Sequence, residues 1–181
     1  WDEIHRVIKK YKEYNIKALK QPGRGKGNAV HHAFNQAEGD ILIILDGDLT
    51  VPPKDMIKFY NVLASGVGEF ANGTRLVYSM EKGAMMLLNY YANTTFAKIF
   101  SFLLNQRFSD TLCGTKALFR YDYKNILANK SFFGDFDPFG DFDLIFGAAK
   151  LNLKIVEVPV RYKARSYGVT QISRFYHGVM L

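Results

Sequence analysis

Ile41-Leu42-Ile43-Ile44-Leu45 is an uninterrupted apolar run that passes directly into Asp46-Gly47-Asp48. A run of that length has no polar edge to offer to water, so it reads as a central strand covered on both faces. Covering it requires helices, and the flanking sequence supplies them. Lys26 to Ala37 has helical character and is closed by Gly39, while Pro52-Pro53 opens a helix from about Lys54 to Ala64 with Ile57, Phe59, Tyr60 and Leu63 as its apolar positions.

The same reading assigns short strands to Asn15–Gln21 and Phe70–Val77, and a strand crossing back over Lys116–Tyr121. A last strand runs over Leu153–Tyr162, where Pro159 suits an edge or a bulge. Helices are expected over Gly83–Arg107, as one or two segments, and over Gly140–Leu151. This alternation predicts an α/β fold, a mostly parallel sheet with helices on both faces, in a single domain spanning residues 1–181. The chain opens at Trp1 inside a helical pattern that sets Ile4, Val7, Ile8 and Tyr11 on one face, so the reading also expects missing sequence upstream. Phe-Gly-Asp-Phe-Asp occurs at Phe133–Asp137 and again at Phe139–Asp143, a spacing too short for a structural repeat.

Lys and Arg outnumber Asp and Glu by 24 to 17, a net charge of +7 that suits a phosphate-bearing partner as well as a plain basic surface. The basic residues are scattered without an aromatic-and-basic motif, which argues against nucleic acid. One cysteine, Cys113, excludes an internal disulfide and fits a reducing, cytoplasmic setting with a packing role. The greasiest stretch, Gly83 to Leu104, is interrupted by Asn89, Asn93, Thr94, Thr95 and Lys98, so it falls short of the roughly 18 apolar residues a span needs. It can pack in the core or lie on the cytoplasmic face of a membrane as a peripheral contact.

Three constellations carry chemistry. Asp46-Gly47-Asp48 sits at the carboxyl end of the buried strand, where open α/β sheets place ligands, and two carboxylates flanking a glycine can face Mg2+ or Mn2+ on a diphosphate. The same tripeptide also suits a solvated turn. Gly23-Arg24-Gly25-Lys26-Gly27 precedes a helix, so free backbone N–H groups and cations meet at one anion-sized spot, although the Walker spacing is absent. Asp141 and Asp143 begin a helix, either as dipole-matched acids or with one of them as a general base for an acceptor hydroxyl. Arg75, Lys116 and the Arg161, Lys163, Arg165 series are further cations suited to phosphate. The four histidines suggest no metal site.

Taken in order, Gly-Arg-Gly-Lys-Gly, Asp46-Gly47-Asp48-Leu49 with Pro52-Pro53, Asp110 through Lys116, and Val156-Glu157-Val158-Pro159-Val160 followed by Arg165, Gly168 and Thr170 resemble the inverting GT-A glycosyltransferases of family 2. The resemblance is to the dolichyl-phosphate mannose synthase and polyprenyl-phosphate sugar transferase branch, and it covers about Gly23 to Phe175. It implies a Rossmann-like GT-A fold whose first strand and base-holding loop are not in this chain. It also implies transfer of a sugar from a nucleotide-sugar donor to a polyprenyl-phosphate acceptor. Residue by residue, it implies Asp46 and Asp48 as the metal and diphosphate site, Gly25, Lys26 and Gly27 near the donor, and Arg165 in a loop closing over the diphosphate. Arg75 and Lys116 match basic positions facing the lipid phosphate, and the acidic position near the acceptor falls on Asp143 rather than Asp141. Asp143 is Asp where relatives often carry Glu, and Thr50 stands where they often carry Gln as a further metal ligand. The rival readings are a sugar-phosphate nucleotidyltransferase, suggested by Gly73-Thr74-Arg75-Leu76, and a non-catalytic binding remnant.

Overall fold

A computed structural model describes residues 1–79, 87–129 and 140–167. The opening helix α1 (Asp2–Lys10) buries none of its residues, and Ile4 and Tyr11 remain exposed. Asn15–Gln21 then runs without a ladder partner and forms no strand, with Ile16 and Leu19 exposed. Apolar residues alone do not make a strand, because the extended backbone needs a neighbour for its N–H and C=O groups.

Helix α2 (Lys26–Gln36) starts at Gly25, whose φ of 86° lies in the left-handed region that glycine tolerates. Strand β1 (Ile41–Ile43) follows, and Pro53 begins a 3-10 turn (Pro53–Asp55) that leads into α3 (Met56–Ala64). Next come β2 (Phe70–Thr74), α4 (Leu87–Leu103) and β3 (Lys116–Phe119). Helix α5 (Arg120–Ala128) follows β3 without an intervening residue, and then come α6 (Asp141–Lys150) and β4 (Ile155–Pro159). The sheet order is β1-β3-β2-β4, which puts β4, with Pro159 as its last residue, at an edge as expected.

β2 and β4 pair in parallel, while β3 pairs antiparallel with both β1 and β2. It follows that β1, β2 and β4 share one direction and β3 alone is reversed, so the sheet is mostly parallel in direction with a returning strand inside it. The side chains alternate across the sheet. Leu42, Ile44, Phe70 and Leu118 face one core with Phe34, Phe100, Tyr123 and the inner side of α6. Ala71 and Ala117 face the other core with Phe59 and Leu63 of α3, and Ile41 and Ile43 pack against it. The expectation of helices on both faces is met: α3 covers one, and α2, α4, α5 and α6 cover the other.

Helix α4 divides its apolar residues. Ala97 and Phe100 enter the core, whereas Tyr91, Ile99, Phe102 and Leu103 face outward, Phe102 at 86% exposure. Among the described residues no helix is long and apolar enough to cross a membrane. The first Phe-Gly-Asp-Phe-Asp copy, Met85, Met86, Gly168, Thr170 and Phe175 lie outside the described residues.

Candidate active site

Beyond β1 the chain stays tied to the sheet for one more residue, through the Ile44 N–H donating to the Lys116 carbonyl at 2.8 Å. It then turns sharply. The Leu49 N–H donates to the Asp46 carbonyl, and Leu49 takes a φ of 53°. The Asp48 Oδ1 accepts from both the Thr50 N–H at 3.2 Å and the Thr50 hydroxyl at 2.9 Å, which fixes one carboxylate oxygen and leaves the other for a partner.

That partner is Arg165, whose Nη2 donates to Asp48 Oδ2 at 2.7 Å. The Tyr167 hydroxyl donates to the Gly47 carbonyl, so the segment after β4 is fastened over the Asp-Gly-Asp turn at two points. From the other side Lys26 places its ammonium 3.0 Å from Asp46 Oδ1. The glycine-rich loop that delivers Lys26 is closed by Asn28, whose Oδ1 accepts the Gly23 N–H at 2.9 Å. Below the Lys26–Asp46 pair lies Gly114, where an added Cβ would collide with both the Lys26 ammonium and the Asp46 carboxylate. Two carboxylates and two cations from three separate stretches therefore meet at the carboxyl end of β1. Lys26, Asp46, Asp48 and Arg165, four of the candidate site residues, are thus brought together.

Gly25 and Gly27 begin α2 beside this cluster, and a Cβ at Gly140 would stand 2.6 Å from the Gly27 Cα. The start of α6 is thus pressed against the start of α2, which sets Asp143 beside the first turns of that helix. Asp143 Oδ2 lies 3.9 Å from the Nε2 of His31, a residue the sequence reading left without a role. The side chain of Asp141 is outside the described residues.

Arg75 and Lys116, the two cations expected near an acceptor, both have partners inside the protein. Lys116 has no exposed surface, and its ammonium donates to the Cys113 carbonyl. Arg75 forks onto the buried Asp110, Nε to Oδ2 at 2.7 Å and Nη2 to Oδ1 at 2.9 Å, and stacks its guanidinium over Tyr162. A buried carboxylate answers Arg75 and a backbone carbonyl answers Lys116, partners that the sequence does not reveal. Asp110 also accepts from the Arg75 N–H, from Asn93 and from the Leu112 N–H. Glu157 of β4 accepts from the Ser109 N–H and hydroxyl and from the Asp110 N–H. This network fixes the loop that ends in Gly114, and sequence reasoning missed Asn93 and Glu157 because their partners are distant in the chain. Burial raises and Arg75 lowers the Asp110 pKa, with the net effect of holding it below the usual carboxylate range. The Cys113 thiol, pushed up to about 11 by burial, is an inert packing residue beneath Gly73.

A divalent cation fits this donor set in a limited sense. Among the described residues no third His, Cys, Asp or Glu stands with Asp46 and Asp48. A hard cation such as Mg2+ keeps several waters and needs only one or two carboxylates besides substrate phosphates.

Two substitutions separate the scaffold from the site. Asp110→Asn leaves the buried Arg75 without its countercharge and should cost about 3–5 kcal/mol in urea unfolding. Because the folded pKa of Asp110 is lowered, its stabilisation is full above its unfolded value of about 3.9 and is lost as pH falls through the folded value. The variant should lack that part of the acid limb. Gly114→Ala displaces only the flexible ends of Lys26 and Asp46, so its stability should stay within about 0.5 kcal/mol of the parent. If the cluster takes up a nucleoside diphosphate, that affinity should nevertheless fall at least about tenfold in a calorimetric titration, a loss of about 1.4 kcal/mol.

A family profile described as glycosyl transferase family 2 matches residues 2–127. A dolichyl-phosphate hexose transferase of Haloferax volcanii is 25% identical over 170 residues, 94% of this chain and 70% of that protein. The low-salt glycan biosynthesis hexosyltransferase Agl6 of the same organism is 25% identical over 148 residues, 81% of this chain but only 35% of that protein. A dolichol-phosphate mannosyltransferase of Pyrococcus furiosus is 30% identical over 77 residues, 42% of this chain and 21% of that protein. The mixed sheet with its reversed strand and two helical layers is the GT-A fold of such enzymes. With a match running through well over half of its length, and the Asp-Gly-Asp turn and Lys26 both inside it, the chain belongs to glycosyl transferase family 2.

Proposed function

We propose that the chain transfers a sugar from a nucleotide-sugar donor to a polyprenyl-phosphate acceptor, with inversion, and binds the donor diphosphate at Asp46, Asp48, Lys26 and Arg165. The observation that carries this reading is the pairing of each carboxylate with a cation from another segment, Asp46 with Lys26 and Asp48 with Arg165. Such a cluster is close to neutral when empty of ligand. A diphosphate entering with a divalent cation would give Lys26 and Arg165 phosphate oxygens in exchange for their carboxylates, freeing Asp46 and Asp48 for the cation. Mg2+ or Mn2+, held there by Asp46 and Asp48, would neutralise charge on the leaving diphosphate.

The protein's own residues supply orientation and charge. Lys26 and Arg165 stabilise the negative charge that builds on the departing diphosphate, and the strap fastened through Tyr167 keeps Arg165 over it. A lipid phosphate, with a second pKa of about 6, attacks largely ionised at pH 7 and needs little help from a base. Asp143, beside the first turns of α2, is proposed to align the acceptor, accepting a proton only if that acceptor is a hydroxyl. The names of the Haloferax and Pyrococcus relatives support a dolichyl-phosphate acceptor for this chain. The outward Tyr91, Ile99, Phe102 and Leu103 of α4 support peripheral contact with the membrane that would carry it.

Titration calorimetry of the chain with UDP and GDP, with and without Mn2+, should show manganese-dependent binding that disappears in an Asp46→Ala, Asp48→Ala double variant. Binding that persists in the double variant would put the donor elsewhere. Flotation with vesicles should recover the parent chain in the lipid fraction and leave a Phe102→Ser, Leu103→Ser variant at the bottom of the gradient. Equal recovery of the two would remove α4 from any membrane contact.

A further inference from the structure

The face of α2 that meets α6 is marked by Gly27, His31 and Phe34, spaced as successive turns of one helical stripe. Gly27 touches Gly140, and one turn along each helix His31 meets Asp143. Phe34 continues the stripe with its ring edge-on to Tyr123, the centroids 5.1 Å apart. The His31 ring is therefore held on both sides. It stacks on Tyr123 at 5.8 Å, and its Nδ1 lies 2.9 Å from the Tyr123 hydroxyl.

We infer that His31 is a positioning residue for Asp143, with Tyr123 setting the histidine ring so that Nε2 presents an N–H to the Asp143 carboxylate. The inference rests on the reading of Asp143 as the acidic group at the acceptor side of the site. A hydroxyl at Nδ1 suits this role in either charge state of the ring. To neutral imidazole the Tyr123 hydroxyl donates its proton, which leaves the ring hydrogen on Nε2. To imidazolium it accepts the Nδ1 hydrogen and turns its own proton toward the His31 carbonyl, 3.5 Å away. Burial pushes the tyrosine up to about 12, so it keeps its proton throughout. The side chains of His31 and Asp143 are 20% and 12% exposed, so their attraction is less screened than a surface pair's. Among the described residues, groups facing the ring include Tyr123 from α5 and Asp143 from α6, with His32 adjoining on α2 and Lys26 five residues before.

Nitrogen-15 NMR of the imidazole rings reads this directly and needs no substrate. In the parent chain His31 should appear as the Nε2–H tautomer at high pH, and its titration midpoint should fall by about one pH unit in Asp143→Asn. Tyr123→Phe should shift population toward Nδ1–H while leaving the fold intact in the amide spectrum. In transfer assays with a nucleotide-sugar and a polyprenyl phosphate, His31→Leu should lower kcat at least about tenfold with KM for the donor unchanged, and His31→Gln, which keeps an N–H donor, should recover part of it. A midpoint that does not move in Asp143→Asn, or an Nδ1–H tautomer in the parent, overturns the pairing. Loss of manganese-dependent diphosphate binding with the midpoint shift intact would instead sink the transferase reading and leave the pair standing.

Discussion

The Asp110 carboxylate has no access to solvent, and the charge it carries obliges donors from separate parts of the chain to converge on it. Arg75 answers from the end of β2 with its backbone and both arms of its fork, Asn93 answers from α4, and Leu112 answers from the loop itself. A buried ion pair of this kind adds little to stability compared with an apolar replacement, but removing one partner is costly, so it selects one arrangement over its competitors. What it selects is the path of the loop from Asp110 to Thr115.

That path matters because Gly114 lies at its end, beneath Lys26 and Asp46. Glu157, reaching from the edge strand to Ser109 and Asp110, ties the same loop to β4, whose continuation carries Arg165 to Asp48. The floor of the site and the strap over it are thus referred to one internal fixture. The proposed donor site uses the outer cations, Lys26 and Arg165, which pair with Asp46 and Asp48 on the more exposed side of this scaffold. A buried scaffold under part-exposed ion pairs suits the proposed uptake and release of a charged diphosphate.

The sequence made some of this plain and hid the rest for identifiable reasons. The strand at Ile41 and the carboxylates after it were legible because an apolar run followed by Asp-Gly-Asp permits few placements. The returning strand at Lys116 was legible for a similar reason. Helix α5 was not, since it starts at Arg120 directly from β3 with no glycine, proline or cap to punctuate it, the Arg120 N–H still donating to the Asp40 carbonyl of the strand ladder. Asn15–Gln21 looked like a strand because propensity is local, whereas pairing is not. The buried acceptors of Arg75 and Lys116 were hidden for the same reason, being supplied by the fold. His31 carried no signal at all until two helix starts, one at Gly27 and one at Gly140, were seen to touch.

The central claim is that a donor diphosphate and its metal settle where the Asp-Gly-Asp turn, the glycine-rich loop and the Arg165 strap meet. Paramagnetic broadening of the backbone amide spectrum by Mn2+ in the presence of UDP or GDP tests it most directly. The account predicts selective loss of signals from Asp46, Gly47, Asp48, Gly114 and Lys26, with those of α1 and the outer face of α3 preserved. Broadening centred on any other part of the chain, or the same weak broadening with and without nucleotide, would contradict it.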